Sequence, residues 1–113
     1  MSGSTTRDKG RRGQTAALNL LRSRDWTVAD LSSGISCEDG LAICPDGIVY
    51  AVEIKNTANI LQSHRNQAMR QARDRGKNTR WMLMNRITGT ASWLVQRQGE
   101  RPAVWHEGEG RGG

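Results

Sequence analysis

The sequence predicts a single α/β domain in which a mixed central sheet is flanked by helices, in the order helix, three strands, helix, then one or two strands. Three observations carry this expectation. Residues 14–24 place Ala17, Leu20 and Leu21 at helical spacing, and residues 60–75 run without Gly or Pro. Apolar runs at 40–44 and 48–55 flank a Pro45-Asp46-Gly47 turn, which reads as a hairpin. Residues 81–84 are continuously apolar and follow the third strand through a helix, which calls for a parallel crossover and cover on both faces. With 113 residues there is room for one core and little more.

The elements follow in order. Residues 1–13 are Ser, Thr, Gly, Arg and Lys without apolar periodicity, and are expected to form a flexible basic arm. The first helix, from Gln14, ends with Arg22 and Arg24, whose charges complement its dipole. Residues 26–31 alternate apolar and polar as a first strand, closed by a Ser32-Ser33-Gly34 turn. The hairpin supplies strands two and three, and polar residues 56–59 end it. On the second helix Leu61, His64, Ala68 and Ala72 form a narrow buried stripe, with Asn66, Arg70 and Arg73 opposite and Gly76 as its C-cap. After strand four, Thr88-Gly89-Thr90 turns the chain into a strand at 91–96, and 102–105 adds a short edge strand. The Gly-rich stretch 107–113 reads as a flexible tail, which leaves 14–106 as the domain.

Composition narrows the function classes. Lys+Arg 17 against Asp+Glu 11 gives a formal charge of +6, which favours a polyanionic partner. Phe is absent, so four Trp carry much of the packing; Trp26, Trp81 and Trp93 fall in predicted strands and are expected in the core, and Trp105 is the candidate for base stacking or a dimer contact. No apolar stretch is long enough for a signal peptide or a membrane span, so a cytoplasmic setting without a membrane partner is expected, with Cys37 and Cys44 reduced. The six-residue gap between those cysteines, with His64 and His106 scattered, does not match zinc spacings, and half-buried thiols are the expected role.

The chemistry gathers on the hairpin. A type I turn closed by a left-handed Gly suits Pro45-Asp46-Gly47, and if Cys44 then pairs with Ile48, Asp39 falls opposite Glu53. Such cross-strand partners lie about 5 Å apart between Cβ atoms. Lys55 shares their face because strand side chains alternate. Two carboxylates and an ammonium therefore converge. Phosphodiester hydrolysis needs charge neutralisation at the phosphate and an activated water, and a hard divalent ion held by carboxylates supplies both. Mg2+, for which Mn2+ can substitute, takes oxygen ligands of this kind; Asp39, Glu53 and the Ile54 carbonyl are the candidate ligands, and Lys55 the candidate catalytic cation. The plainer alternative is a salt bridge on an exposed sheet face. Arg7, Lys9, Arg11 and Arg12 in the arm, with Arg70 and Arg73 on the second helix, are candidate DNA-phosphate contacts, although any one of them taken singly reads as a solvated surface charge.

These residues resemble a known family. Glu38-Asp39-Gly40-Leu41-Ala42 ahead of Glu53-Ile54-Lys55, with the element order, is similar to the PD-(D/E)xK nuclease superfamily, the restriction-endonuclease-like fold, and most similar within it to archaeal-type Holliday-junction resolvases. Lys9-Gly10, the helix to Arg24, Asp25-Trp26 and Ser33-Gly34 match further parts of that pattern, over about 9–56. The resemblance implies metal ligation by Asp39 and Glu53, catalysis by Lys55, and a substrate-backbone contact by Ser33, whose alternative role is capping its own turn. It also exposes departures. Gln14 stands where the family usually has a helix-one Glu, which favours one metal over two. Glu38 stands where the family has Pro and is a possible accessory carboxylate. Asp25 replaces a Gly, a position at which Asp tolerates left-handed backbone.

The function implied is metal-dependent endonucleolytic hydrolysis of DNA, structure-specific for branched or Holliday-junction substrates in DNA recombination, by a two-fold homodimer that needs no nucleotide cofactor. Two rivals stand beside it. One is a catalytically inactive nuclease-fold module for DNA or partner binding, and the other is a nuclease acting on nicked, single-stranded or RNA substrates.

Overall fold

The computed structural model describes residues 2–30 and 40–107, without the side chains of 2–12 and 30. Among the described residues two helices and six strands follow in the order α1 (Ser2–Ser23), β1 (Thr27–Asp30), β2 (Gly40–Ile43), β3 (Val49–Lys55), α2 (Gln62–Arg75), β4 (Arg80–Arg86), β5 (Ser92–Arg97) and β6 (Ala103–His106). Among the described residues the strands form one sheet in the order β1-β2-β3-β4-β5-β6. Every neighbouring pair is antiparallel except β3–β4, which are parallel and joined through α2. The α/β class, the mixed sheet and the crossover are those expected.

Alternation along the strands divides the core in two. Tyr50 and Val52 of β3, Met82 and Met84 of β4, and Trp93 and Val95 of β5 pack with Ala17, Leu18, Leu20 and Leu21 of α1. Ala51, Trp81 and Leu83 face the other way and meet Ala68 and Ala72 of α2. The α1 side is the heavier layer, since each buried leucine contributes about 1.5–3 kcal/mol. On the α2 side the helix offers alanines, so it lies close to the sheet and can place a short polar side chain on a strand end. Residues 81–85 are all buried, as a strand covered on both faces requires. Trp26, Trp81 and Trp93 are core residues, as expected.

The exit from α1 follows from one residue. Asp25 has φ 68°, and its N–H donates to the Arg22 carbonyl at 3.0 Å while the Trp26 N–H donates to that of Leu21 at 3.1 Å. This pair of bonds is the Schellman arrangement, and it turns Trp26 back onto Leu21 in the core. The hairpin is also as expected: Gly47 has φ 88°, its N–H donates to the Cys44 carbonyl at 2.8 Å, and the Cys44 N–H donates to that of Ile48 at 3.0 Å.

Several boundaries differ from expectation. The first helix begins at Ser2, so residues expected as an arm outside any element lie in its opening turns; no Pro interrupts them, and Arg and Lys propagate a helix well. Leu61 is not part of the α2 stripe: it precedes the helix and is 54% exposed, while Gln71 is buried beside Ala68 and Ala72. Gly76 does end α2, its N–H donating to the Ala72 carbonyl at 3.1 Å, but its backbone is extended rather than left-handed. Glu107, assigned to the tail, is anchored: its N–H donates to the Ala91 carbonyl at 2.8 Å, and its carboxylate accepts the Trp93 indole N–H at 2.9 Å. The ring of Trp105 is half-buried against Trp26, with the Arg24 guanidinium 4.1 Å above it, so the candidate stacking surface is already packed.

Candidate active site

The site is built on the carboxyl end of β3. Pairing of β2 with β3 runs from Ile43↔Val49 to Gly40↔Val52, the register from which Asp39 is expected opposite Glu53; Asp39 itself lies outside the described residues. Glu53 is centred in the sheet next to Leu83 of β4, and it is 5% exposed. A carboxylate buried to that degree needs a charged or hydrogen-bonding partner. Lys55, two residues on and on the same face, supplies one: its Nζ lies 3.3 Å from Glu53 Oε1. The same ammonium donates to Gln67 Oε1 of α2 at 3.3 Å.

Residues distant in sequence hold this arrangement. Asn85 pairs with Lys55 across the parallel seam and is buried. Its Oδ1 accepts the Thr57 N–H at 2.9 Å and its Nδ2 donates to the Thr57 carbonyl at 3.0 Å. That amide thus fixes the path of the chain as it leaves Lys55. Arg65 donates through Nε to Gln96 Oε1 of β5 at 2.8 Å, which moors the start of α2 and with it Gln67. His64 Nδ1 accepts the Leu61 N–H at 3.1 Å and satisfies one backbone donor at the entry to the helix.

On the α1 side of the same strand end, Gln14, Lys55, Asn56, Arg86 and Trp93 line a cleft of about 120 Å³. Gln14 therefore stands near the end of the strand that carries Glu53 and Lys55, on the face opposite their carboxylate and ammonium. Arg70 and Arg73 lie exposed on the outer face of α2. Ser33, Glu38 and Cys37 lie outside the described residues, as do the side chains of Lys9, Arg11 and Arg12. Among the described residues no group of three or more His, Cys, Asp and Glu is placed to share a metal, and Cys44 is buried. The residues in hand for a hard cation are the Glu53 carboxylate and the Ile54 carbonyl, oxygen donors of the type that Mg2+ accepts alongside water and phosphate oxygens.

Gln67, Asn85 and Arg86 are the members of this neighbourhood that the sequence alone did not single out. Gln67 carried a usable signal, because it lies three residues after His64 and four before Gln71 on the helix face turned to the sheet. Asn85 and Arg86 carried none beyond being polar at the end of an apolar run.

A helix, three antiparallel strands, a crossover helix and a parallel fourth strand, with an acidic residue and a lysine at the end of strand three, make up the restriction-endonuclease-like fold. The chain is similar in structure to Hjc, a Holliday junction resolvase from the archaeal hyperthermophile Archaeoglobus fulgidus, with a TM-score of 0.58, 16% sequence identity and 85% of each chain covered. That likeness is one of fold. No family model matches the sequence, and no curated protein matches it.

Proposed function

We propose that this protein is a metal-dependent DNA endonuclease that acts on branched DNA. The observation that carries the reading is a buried carboxylate, Glu53, held 3.3 Å from a lysine at an open strand end of this fold. A structural pair serving stability alone has little reason to sit there, since buried ion pairs are weak stabilisers. The resolvase activity named for the archaeal structure agrees with the reading and points to junction DNA.

In this mechanism Glu53, the Ile54 carbonyl and Asp39 would hold Mg2+ or Mn2+, which supplies charge neutralisation at the phosphate and lowers the pKa of a bound water. Lys55 has three N–H donors. Two are directed at Glu53 and Gln67, and the third would meet an oxygen of the scissile phosphate as its negative charge grows. Gln67 keeps the ammonium from collapsing wholly onto Glu53, so that carboxylate stays available to the cation. Arg70 and Arg73, and the basic residues of α1, would add phosphate contacts without sequence preference. Symmetric cutting of a junction needs two such sites, hence a homodimer.

The test is a panel of linear, nicked, single-stranded, flapped and four-way DNA with Mg2+, comparing the wild type with Asp39→Ala, Glu53→Ala and Lys55→Ala. Cutting of the branched forms by the wild type alone is expected. If the wild type cuts nothing yet binds DNA in a salt-sensitive way that Glu53→Ala leaves unchanged, the protein is a binding module and the nuclease reading falls.

A further inference from the structure

We infer that the cleft beside Lys55, between α1 and the ends of β3 and β4, binds a phosphate of the substrate strand adjacent to the one cut, with Arg86 as its principal ligand. The inference rests on the nuclease reading for the word adjacent, but the site itself is argued from its own chemistry. Position comes first. Arg86 closes β4, one residue beyond Asn85, which is paired with Lys55; it therefore stands at the strand end that carries Lys55 but on the α1 face with Trp93, where it lines the cleft.

Charge comes second. Among the described residues the cleft is lined by Arg86, by the amide-bearing Gln14 and Asn56 and by no acidic residue, while Lys55 directs its ammonium to Glu53 and Gln67 on the α2 face. A hard divalent ion seeks carboxylates, whereas guanidinium and amide N–H groups suit a phosphate. The cleft therefore selects an anion.

The state of Arg86 is the third point. Its Nε reaches the Thr90 carbonyl only at 3.4 Å, and its terminal nitrogen is 4.0 Å from Glu107, a separation too long for a hydrogen bond. Its guanidinium lies 5.6 Å from the Trp93 ring centroid, and a third of the side chain is exposed. A group with five N–H donors, aimed by an aromatic ring and engaged by weak contacts, is oriented while retaining capacity for a ligand. At Gly13, also on the rim, an added Cβ would meet nothing within 4 Å among the described residues.

The probes are a fluorescent four-way junction and a linear duplex, titrated by anisotropy in EDTA so that no metal contributes. Arg86→Ala should weaken binding to both by about tenfold and lower the slope of log K against log salt by about one, the signature of one lost phosphate contact. Gln14→Glu, which places an anion in the cleft on a helix that accepts Glu readily, should also weaken binding. Folding of each variant is checked by circular dichroism and melting. A folded Arg86→Ala that binds both DNAs like the wild type with an unchanged slope overturns the proposal. So does a Gln14→Glu variant that binds as tightly as the wild type or cuts at lower Mg2+, because the cleft would then take a cation. Should Arg86→Ala not fold, Gln14→Glu alone decides. Failure of the wild type to cut any DNA counts against the nuclease reading and leaves these binding comparisons intact.

Discussion

Lys55 is held between acceptors on two different elements. Glu53 alone would draw the ammonium down onto the sheet, but Gln67, at the same 3.3 Å, draws it towards α2. Replacing Lys55 by Met should reduce the cutting rate by about 10²–10³-fold, the usual loss for one positioned donor at a charged transition state. Gln67→Leu should lower the single-turnover rate by about tenfold while DNA affinity measured by anisotropy holds, because on the proposed mechanism Gln67 would act on the substrate only through Lys55. Equal losses in rate and affinity would instead make Gln67 a DNA contact. Asp25 is a second residue whose backbone is its role. With φ at 68° it occupies a region that costs most residues about 1–2 kcal/mol and Gly almost nothing, so Asp25→Gly should raise stability to denaturant by about 0.5–1 kcal/mol.

Among the elements, β3 and α2 determine whether the site exists. Asn85→Ala would leave the Thr57 N–H and carbonyl without their amide partner, with an expected loss of about 1–3 kcal/mol in chemical denaturation and faster amide exchange at the β3–α2 connection. A Leu83→Ala change, in the layer shared with α2, should cost about 2–5 kcal/mol. These elements were largely legible in the sequence. Pro45-Asp46-Gly47 announced both the hairpin and its register, and the apolar run at 81–84 announced a doubly covered strand. What escaped was set by contacts between residues far apart. Leu61 looked like the first member of a buried stripe, but the chain is still extended there. Nothing local to Gln67 tells that it meets Lys55, and nothing local to Asn85 tells that it ties down Thr57. Glu107 looked like tail because its acceptor role depends on where Trp93 points.

For the molecule as a whole, the formal charge of +6 should make DNA binding fall steeply with added salt, for linear and branched forms alike. EDTA should abolish cutting and either Mg2+ or Mn2+ restore it; cutting that persists with the chelator would remove the metal from the proposal. The sheet has one further consequence. Among the described residues five strand pairs share it, and β3–β4 is the only parallel one, its partners joined through α2. The chain is thus two meanders, β1 to β3 and β4 to β6, each able to zip locally, and one seam that must wait for α2 to cross over. Glu53, Lys55 and Gln67 straddle that seam together with Asn85. On the proposed nuclease function, the half that carries the acid and the lysine would be inert until the other half docks, so recovery of activity on refolding should track formation of the parallel seam rather than the earlier appearance of strand signal.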